Sequence, residues 1–374
     1  MNKSLRRPPQ PRQVTGLGAR RELDRIQTGA LIIIAFAVVL FLLVQARFLL
    51  ISLATAIVLF SLTSDAINFI ARQKIGPLRI PNFLASITAL LLISAALLTL
   101  TSIILSQVNT VLATTVSYAE SAPSAIAAMF AWMGEDVQTA VFNSVSSIEV
   151  TGYLRTAAGQ AGNLMSATVL VILFVGFLFA ERIWFATKLE NFFGGDTAQA
   201  RQVSRIMSTI IHRVNYYLLV KTGVSAVTGA MVFVVAQVFE LDLAGPLGIL
   251  AFVLNYIPNV GSIVATILVA LVTFVQTSDP GSTLAVFIVV TLIQFVNGSV
   301  IDPTLMGRAL RLSSFGIIIS LAFWGAVWGI PGMFLSVPIM VAMLIVCSEV
   351  PALRPIAILL SRQGLPEPKE EDEG

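Results

Sequence analysis

The side chains able to do chemistry in the carboxy-terminal half of this 374-residue chain are mainly amides and one carboxylate, set around prolines and glycines. Asn255, Pro258, Asn259, Gly261 and Ser262 fall in the run Asn255-Tyr256-Ile257-Pro258-Asn259-Val260-Gly261-Ser262, which interrupts an uncharged stretch over residues 243–275. Gln294 and Asn297 stand at i and i+3 in the next apolar run, so they share one helical face. Asp302 closes that run. Gly329, Pro331 and Gly332 interrupt a second uncharged stretch, residues 312–348. Such groups can exchange hydrogen bonds with a polar molecule in place of water. Carbonyls freed before Pro258 could hold a cation, and amides freed after Gly261 an anionic group. Asp302 is the carboxylate best placed to carry a proton or sodium, with a helix-capping or loop role as the plain reading. This is binding chemistry, with no bond to make or break.

Other chemistries lack their residues. His212 is the only histidine and Cys347 the only cysteine, so neither a histidine-clustered zinc site nor an intrachain disulfide can form. No Gly-x-x-x-x-Gly-Lys-Ser/Thr loop is present to hold nucleotide phosphates. A metal, a cofactor and an enzymatic activity are therefore not expected. Cys347 lies in an apolar run and reads as a small hydrophobe. The sequence pI near 9.2 does not point to nucleic acid, because the cations sit mostly in loops where membrane topology accounts for them.

The elements that must carry these residues are membrane helices. Only 11% of residues are charged and mean hydropathy is +0.89, whereas a soluble chain carries about a quarter charged residues. Uncharged windows long enough to span a bilayer recur. The fold class expected is all-α: a polytopic bundle of about eight transmembrane helices, with broken or re-entrant elements in the carboxy-terminal half. Residues 1–25 read as a disordered basic arm held on the cytoplasmic side, and residues 26–363 as the transmembrane domain. Within it, residues 109–161 form an extracytoplasmic helical segment, with Val137, Val141, Val145 and Ile148 on one face. Residues 182–215 form a cytoplasmic amphipathic segment opening at the capping sequence Asp196-Thr197-Ala198-Gln199. The span after it, residues 216–238, carries Lys221 near its inner end, where the side chain could snorkel. Residues 364–374 form an acidic disordered tail. Both termini are placed in the cytoplasm.

Each arm of the two broken stretches is apolar but short of a full span. A break at membrane depth is tolerated where protein or a watery cavity serves the freed backbone, as in transport sites; the plain alternative is a loop between two spans. The stretches align on Ile257-Pro258 and Ile330-Pro331, with Leu250-Ala251-Phe252 matching Leu321-Ala322-Phe323. By charge asymmetry the first starts outside and the second inside, which is the relation of an inverted repeat.

Phe252 to Ser262 resembles the Ile-Pro-x-x-Gly region of the autoinducer-2 exporter family of bacterial membrane proteins. The run from Asp302 to Leu310 resembles its Pro-x-x-x-Gly-x-x-Leu segment, and the run from Trp324 to Pro338 its closing Gly-rich segment, the most specific of the three. Tyr217-Leu218 followed by Lys221 also matches a short family pattern. The resemblance covers residues 26–360 in layout and is sharp after Tyr216. It implies an inner-membrane transporter, commonly counted as eight spans. The named substrate of the family is autoinducer-2, a small polar quorum-sensing signal, and other members resemble sodium–proton antiporters. Many members carry His-Pro where this chain has Ser313-Ser314, which weakens a proton-coupled reading.

The leading expectation is export of a small polar solute, such as autoinducer-2, without ATP. The alternatives are sodium–proton antiport through Asp302 or Asp65, and an oligomeric scaffold that transports nothing. Expected partners are the lipid bilayer, the solute, sodium or protons, and further copies of the chain in a homo-oligomer, the last suggested by small residues along 156–168.

Overall fold

The structure is a computed structural model, and it describes residues 16–72, 82–119, 122–147, 150–182, 184–306, 312–362 and 364. The described residues form helices joined by short turns, with one isolated bridge between Leu312 and Ser361. Two compact units are distinguished, residues 1–50 and 51–374.

The first unit contains α1 (Gly16–Gln45). It starts well before the apolar run that opens at Ile26, so part of the basic arm expected to be disordered is helical. Gly-Ala-Arg-Arg-Glu-Leu-Asp-Arg offers mostly good helix formers, and helix propagation from an apolar span costs little. Leu31, Ile33, Phe36 and Phe41 are all more than half exposed, the pattern of a helix whose sides face lipid. Ala46 N donates to Leu42 O and Leu50 N to Ala46 O, so helical bonding flanks the junction at Arg47.

Next are α2 (Arg47–Arg72), which lies in the second unit from Ile51 on, and α3 (Asn82–Ala119). The latter runs 38 residues, about 57 Å, well past a hydrocarbon core of about 30 Å. Next come α4 (Ala122–Met129), α5 (Glu135–Ser146) and α6 (Val150–Arg182). Val137, Val141 and Val145 form the half-buried face of α5. Ala56, Ala89, Val171, Val175 and Phe179 pack α2, α3 and α6 into one core, and a Thr101–Thr168 hydrogen bond of 2.9 Å ties α3 to α6.

After α7 (Phe185–Phe192), α8 (Thr197–Val238) runs 42 residues without a break. The amphipathic segment and the following span, expected as separate elements, are thus one helix of about 63 Å. Asp196 caps it, accepting from the amides of Ala198 and Gln199. Asn215, where the two were expected to part, is turned sideways to α2: Ser61 Oγ donates to its Oδ1 at 2.7 Å, and its Nδ2 donates to the Ser61 carbonyl at 2.8 Å.

Two helical hairpins lean on α8. The first is α9 (Ala244–Leu254) and α10 (Val260–Thr277); α11 (Pro280–Val296) then packs along α10. Gln276, at the end of α10, donates to the Glu240 carbonyl and accepts from Asp242 N, which closes the hairpin at its open end. A π-helical turn, residues 297–301, leads into α12 (Asp302–Met306). The second hairpin is α13 (Ser314–Trp328) and α14 (Ile330–Glu349), followed by α15 (Arg354–Leu360). Ser313 caps α13, and Ser313 N donates to Leu360 O, closing this hairpin too. Ser313 and Ser314 serve as the start of α13.

Among the described residues, seven helices are long and apolar enough to cross a membrane. The short limbs α9 and α13, at 11 and 15 residues, reach only about 16 and 22 Å. Neither crosses a core of about 30 Å alone. The tail expected beyond Gly364 and residues 307–311 lie outside the described residues.

Candidate functional site

The site is built on a polar stripe of α8. Tyr217, Lys221, Ser225 and Thr228 follow at spacings of four, four and three, so they lie along one side of the helix. All four are buried. The face opposite them is made by the tip of the first hairpin and by the α11–α12 stretch.

Three residues of the stripe meet specific polar partners. Asn255 Nδ2 donates to Ser225 Oγ at 3.0 Å. Asn297 Nδ2 donates to Thr228 Oγ1, whose own proton goes to Val224 O. Lys221 Nζ lies 2.8 Å from Asp302 Oδ2, with side-chain exposures of 5% and 23%. Lys221, expected to snorkel, is instead held in the protein by this carboxylate. Tyr216, next to the stripe, donates to Leu305 O at 2.7 Å and fastens α12 to α8.

These bonds fix the directions of the hairpins. Along α8, Thr228 pairs with Asn297 and Lys221 with Asp302, so α11 and its continuation run antiparallel to α8. Asn255 at the end of α9 reaches Ser225, midway along the stripe, while Leu241 and Leu243 pack beside Val232 and Ala236 near the end of α8. The first hairpin therefore enters from the carboxy-terminal end of α8. Gly229 and Gly248 let α9 lie tight on α8: a Cβ on Gly229 would come within 2.8 Å of Gly248 O. In the second hairpin, Val337, Met340, Val341, Leu344 and Ile345 pack with Val214 and Tyr217. Phe334, nearer its tip, stacks on Tyr256, which bonds Thr222 farther along α8. That hairpin enters from the amino-terminal end.

The two tips meet. Tyr256, at the first tip, stacks on Phe334 with ring centroids 5.3 Å apart and planes at 25°. Its hydroxyl donates to Thr222 Oγ1 at 2.8 Å, and Phe252 meets its edge. Both turns close on a glycine. A Cβ on Gly261 would overlap the Leu254 carbonyl, and one on Gly332 would overlap the Trp324 carbonyl. The two hairpins approach α8 from opposite ends and touch near their tips.

Of the sequence-expected residues, Asn255, Gln294, Asn297 and Asp302 come together on the α8 stripe. Pro258, Asn259, Gly261 and Ser262 shape the first turn. Asn259 has φ 60° and is exposed, Gly261 is buried in the turn, and the Ser262 carbonyl accepts from Thr266. Gly329 (φ 68°) and Pro331 are exposed on the second turn, and Gly332 is buried in it. The carbonyls expected to be free before Pro258 are used within the turn, Leu254 O accepting from Ile257 N and Ile257 O from Gly261 N, and of the amides after Gly261 that of Ile263 donates to Asn259 O. A compact turn satisfies its own backbone, which leaves the side chains to recognise a ligand. Sequence reasoning missed Ser225, Thr228, Tyr256 and Phe334. The polar recurrence from Tyr217 to Thr228 in an apolar helix was a usable signal. The Tyr256–Phe334 contact had none. Asp65 lies among side chains outside those described.

A model of the AI-2E family, described as a family of transporters, matches residues 31–352. The chain belongs to the AI-2E transporter family. Among its relatives is the AI-2 transport protein TqsA of Escherichia coli K12, 32% identical over 54% of this chain and 57% of TqsA. A Borreliella burgdorferi protein provisionally named a transport protein is 30% identical over 60% of this chain and 62% of its own length. A similarly named Haemophilus influenzae protein is 32% identical over 53% and 56%. The matched regions thus span about three fifths of these relatives. In this AI-2E family member, the first and third segments that carry the resemblance fall on the two tips, and the described part of the second, Asp302–Met306, falls at the foot of the seam.

Proposed function

We propose that the chain exports a small polar solute, such as autoinducer-2, along the seam between the two hairpin tips, with no nucleotide and no covalent step. The observation that carries this reading is the meeting of opposed hairpins over a buried polar stripe. Neither short limb spans a bilayer, so each leaves its tip at depth, where a solute must exchange hydration for protein contacts. The name of the E. coli relative supports autoinducer-2 as the first solute to try. The bilayer in question is the bacterial inner membrane, with both termini in the cytoplasm. The test is efflux: cells carrying the chain on a plasmid should release autoinducer-2 faster than cells lacking it. Purified chain in proteoliposomes should move it down a gradient. Equal efflux with and without the chain, in both settings, refutes the proposal.

A second reading, sodium–proton antiport, is favoured by one observation: the Lys221–Asp302 pair is the charged contact at the heart of the seam. It predicts that Asp302→Asn abolishes sodium-dependent proton movement in proteoliposomes. Retained movement removes it.

A further inference from the structure

Among the described residues, four buried side-chain atoms find no hydrogen-bond partner: Tyr217 Oη, Gln294 Nε2, Gln294 Oε1 and Asp302 Oδ1. Gln294 and Asp302 stand on the stretch that runs antiparallel to α8, and Tyr217 stands on α8 one turn from Lys221, with its ring packed against α14. Buried polar groups elsewhere are paired, as Ser61 with Asn215 and Thr101 with Thr168. A buried amide that meets neither a donor nor an acceptor is costly, and such groups persist where water or a ligand completes them.

Gln294 is 7% exposed. Val290 and Val286, one and two turns back on the same face, are fully buried in the core with Val232, Ala251, Ala265 and Val269. Asn297, one turn on, is bonded to Thr228. The Gln294 amide therefore stands where the apolar core of the first hairpin gives way to the polar stripe. Beyond the Asn297–Thr228 bond, Lys221 takes Asp302 Oδ2 and leaves Oδ1 open. Tyr217 lies one turn from Lys221, which pairs with that carboxylate, and next to Tyr216, which bonds Leu305 three residues beyond Asp302. The two groups of orphan atoms are eight residues apart, about 12 Å along a helix.

We propose that the seam holds two stations for an uncharged, hydroxyl-bearing solute, one at the Gln294 amide and one at Tyr217 and Asp302 Oδ1, with the Asn297–Thr228 bond between them. An amide offers a donor and an acceptor side by side, which suits a hydroxyl that both gives and takes a hydrogen bond. Lys221 and Asp302 cancel each other's charge, so the lining carries no net charge with which to select an anion or a cation. The π-helical turn at 297–301 separates the stations, and such turns recur at functional sites. This rests on the transport reading and names the solute class and its residues.

The test uses the full-length chain in detergent, with xylitol, xylonate and 1-amino-1-deoxyxylitol as neutral, anionic and cationic probes of one shape. Binding is read by intrinsic tryptophan fluorescence and by melting temperature. Xylitol flux into proteoliposomes is measured separately. Xylitol should bind at least about tenfold more tightly than either charged analogue. Gln294→Met and Tyr217→Phe should melt at or above wild type, since each removes an unmet polar group. Each should also weaken xylitol binding about tenfold. Gln294→Glu should shift preference toward the amine. Binding of all three probes alike, binding of none, or unchanged xylitol affinity in Gln294→Met and Tyr217→Phe overturns the proposal. A lowered melting temperature with intact binding marks a structural water and overturns it too. Xylitol binding without flux retires the transport reading and leaves the site standing.

Discussion

Removing either partner of the Lys221–Asp302 pair should be costly, removing both should not, and the two single losses should be unequal. At 2.8 Å, with an effective dielectric constant near 20, the attraction is about 6 kcal/mol. Against it stands a desolvation cost of several kcal/mol per ion, so the intact pair contributes little net. Asp302→Leu strands the Lys221 ammonium, whose side chain is 5% exposed, and should cost about 3–5 kcal/mol. Lys221→Met strands a carboxylate that is 23% exposed; water reaches it, and the cost should be about 1–3 kcal/mol. Lys221→Met with Asp302→Leu replaces both charges with apolar groups of similar size and should fall within about 1 kcal/mol of wild type. The coupling in this double-mutant cycle should therefore exceed about 2 kcal/mol. Unfolding in mixed micelles of dodecyl maltoside and SDS measures all four proteins. Singles that add within about 0.5 kcal/mol, or a Lys221 variant less stable than the Asp302 variant, would refute the reasoning.

Other outcomes follow from the turns and caps. Gly261→Ala and Gly332→Ala each drive a Cβ into a backbone carbonyl and should lower the melting temperature sharply, whereas Gly329→Ala meets open space and should cost only the backbone strain of its φ 68°, ψ −145° conformation, about 1–3 kcal/mol. Tyr256→Leu loses the Phe334 stack and the Thr222 bond, worth about 1–2 kcal/mol together, and should reduce flux more than the stability change explains. Asp279 caps α11, and its carboxyl is held below the ordinary range first by the Ser282 side chain, then by the amides of Ser282 and Gly281. Because the folded value is depressed, the cap's contribution is complete at neutral pH and fades as pH falls below that range. The melting-temperature gap between wild type and Asp279→Ala should accordingly be smaller at pH 3 than at pH 7.

Sequence alone determined the membrane class, the approximate spans and both breaks. These depend on local properties: long uncharged runs must be helical in lipid, and Pro258 and the Gly329–Gly332 run interrupt a helix wherever they occur. Sequence also put Gln294 and Asn297 on one face, because helical spacing is a local rule. It split α8 into two elements, since a change from amphipathic to apolar composition looks like a boundary. Only the bond from Ser61, 154 residues away, shows that Asn215 faces a neighbour instead of ending a helix. Lys221 reads as a snorkelling cation when its helix is considered alone. Its partner lies 81 residues on, and long-range pairing of opposite charges leaves no local trace. The meeting of Tyr256 with Phe334, and so the joining of two separate breaks into one site, was decided by packing on α8. Contacts of that kind depend on which faces the tertiary structure brings together, and no periodicity along the chain encodes them.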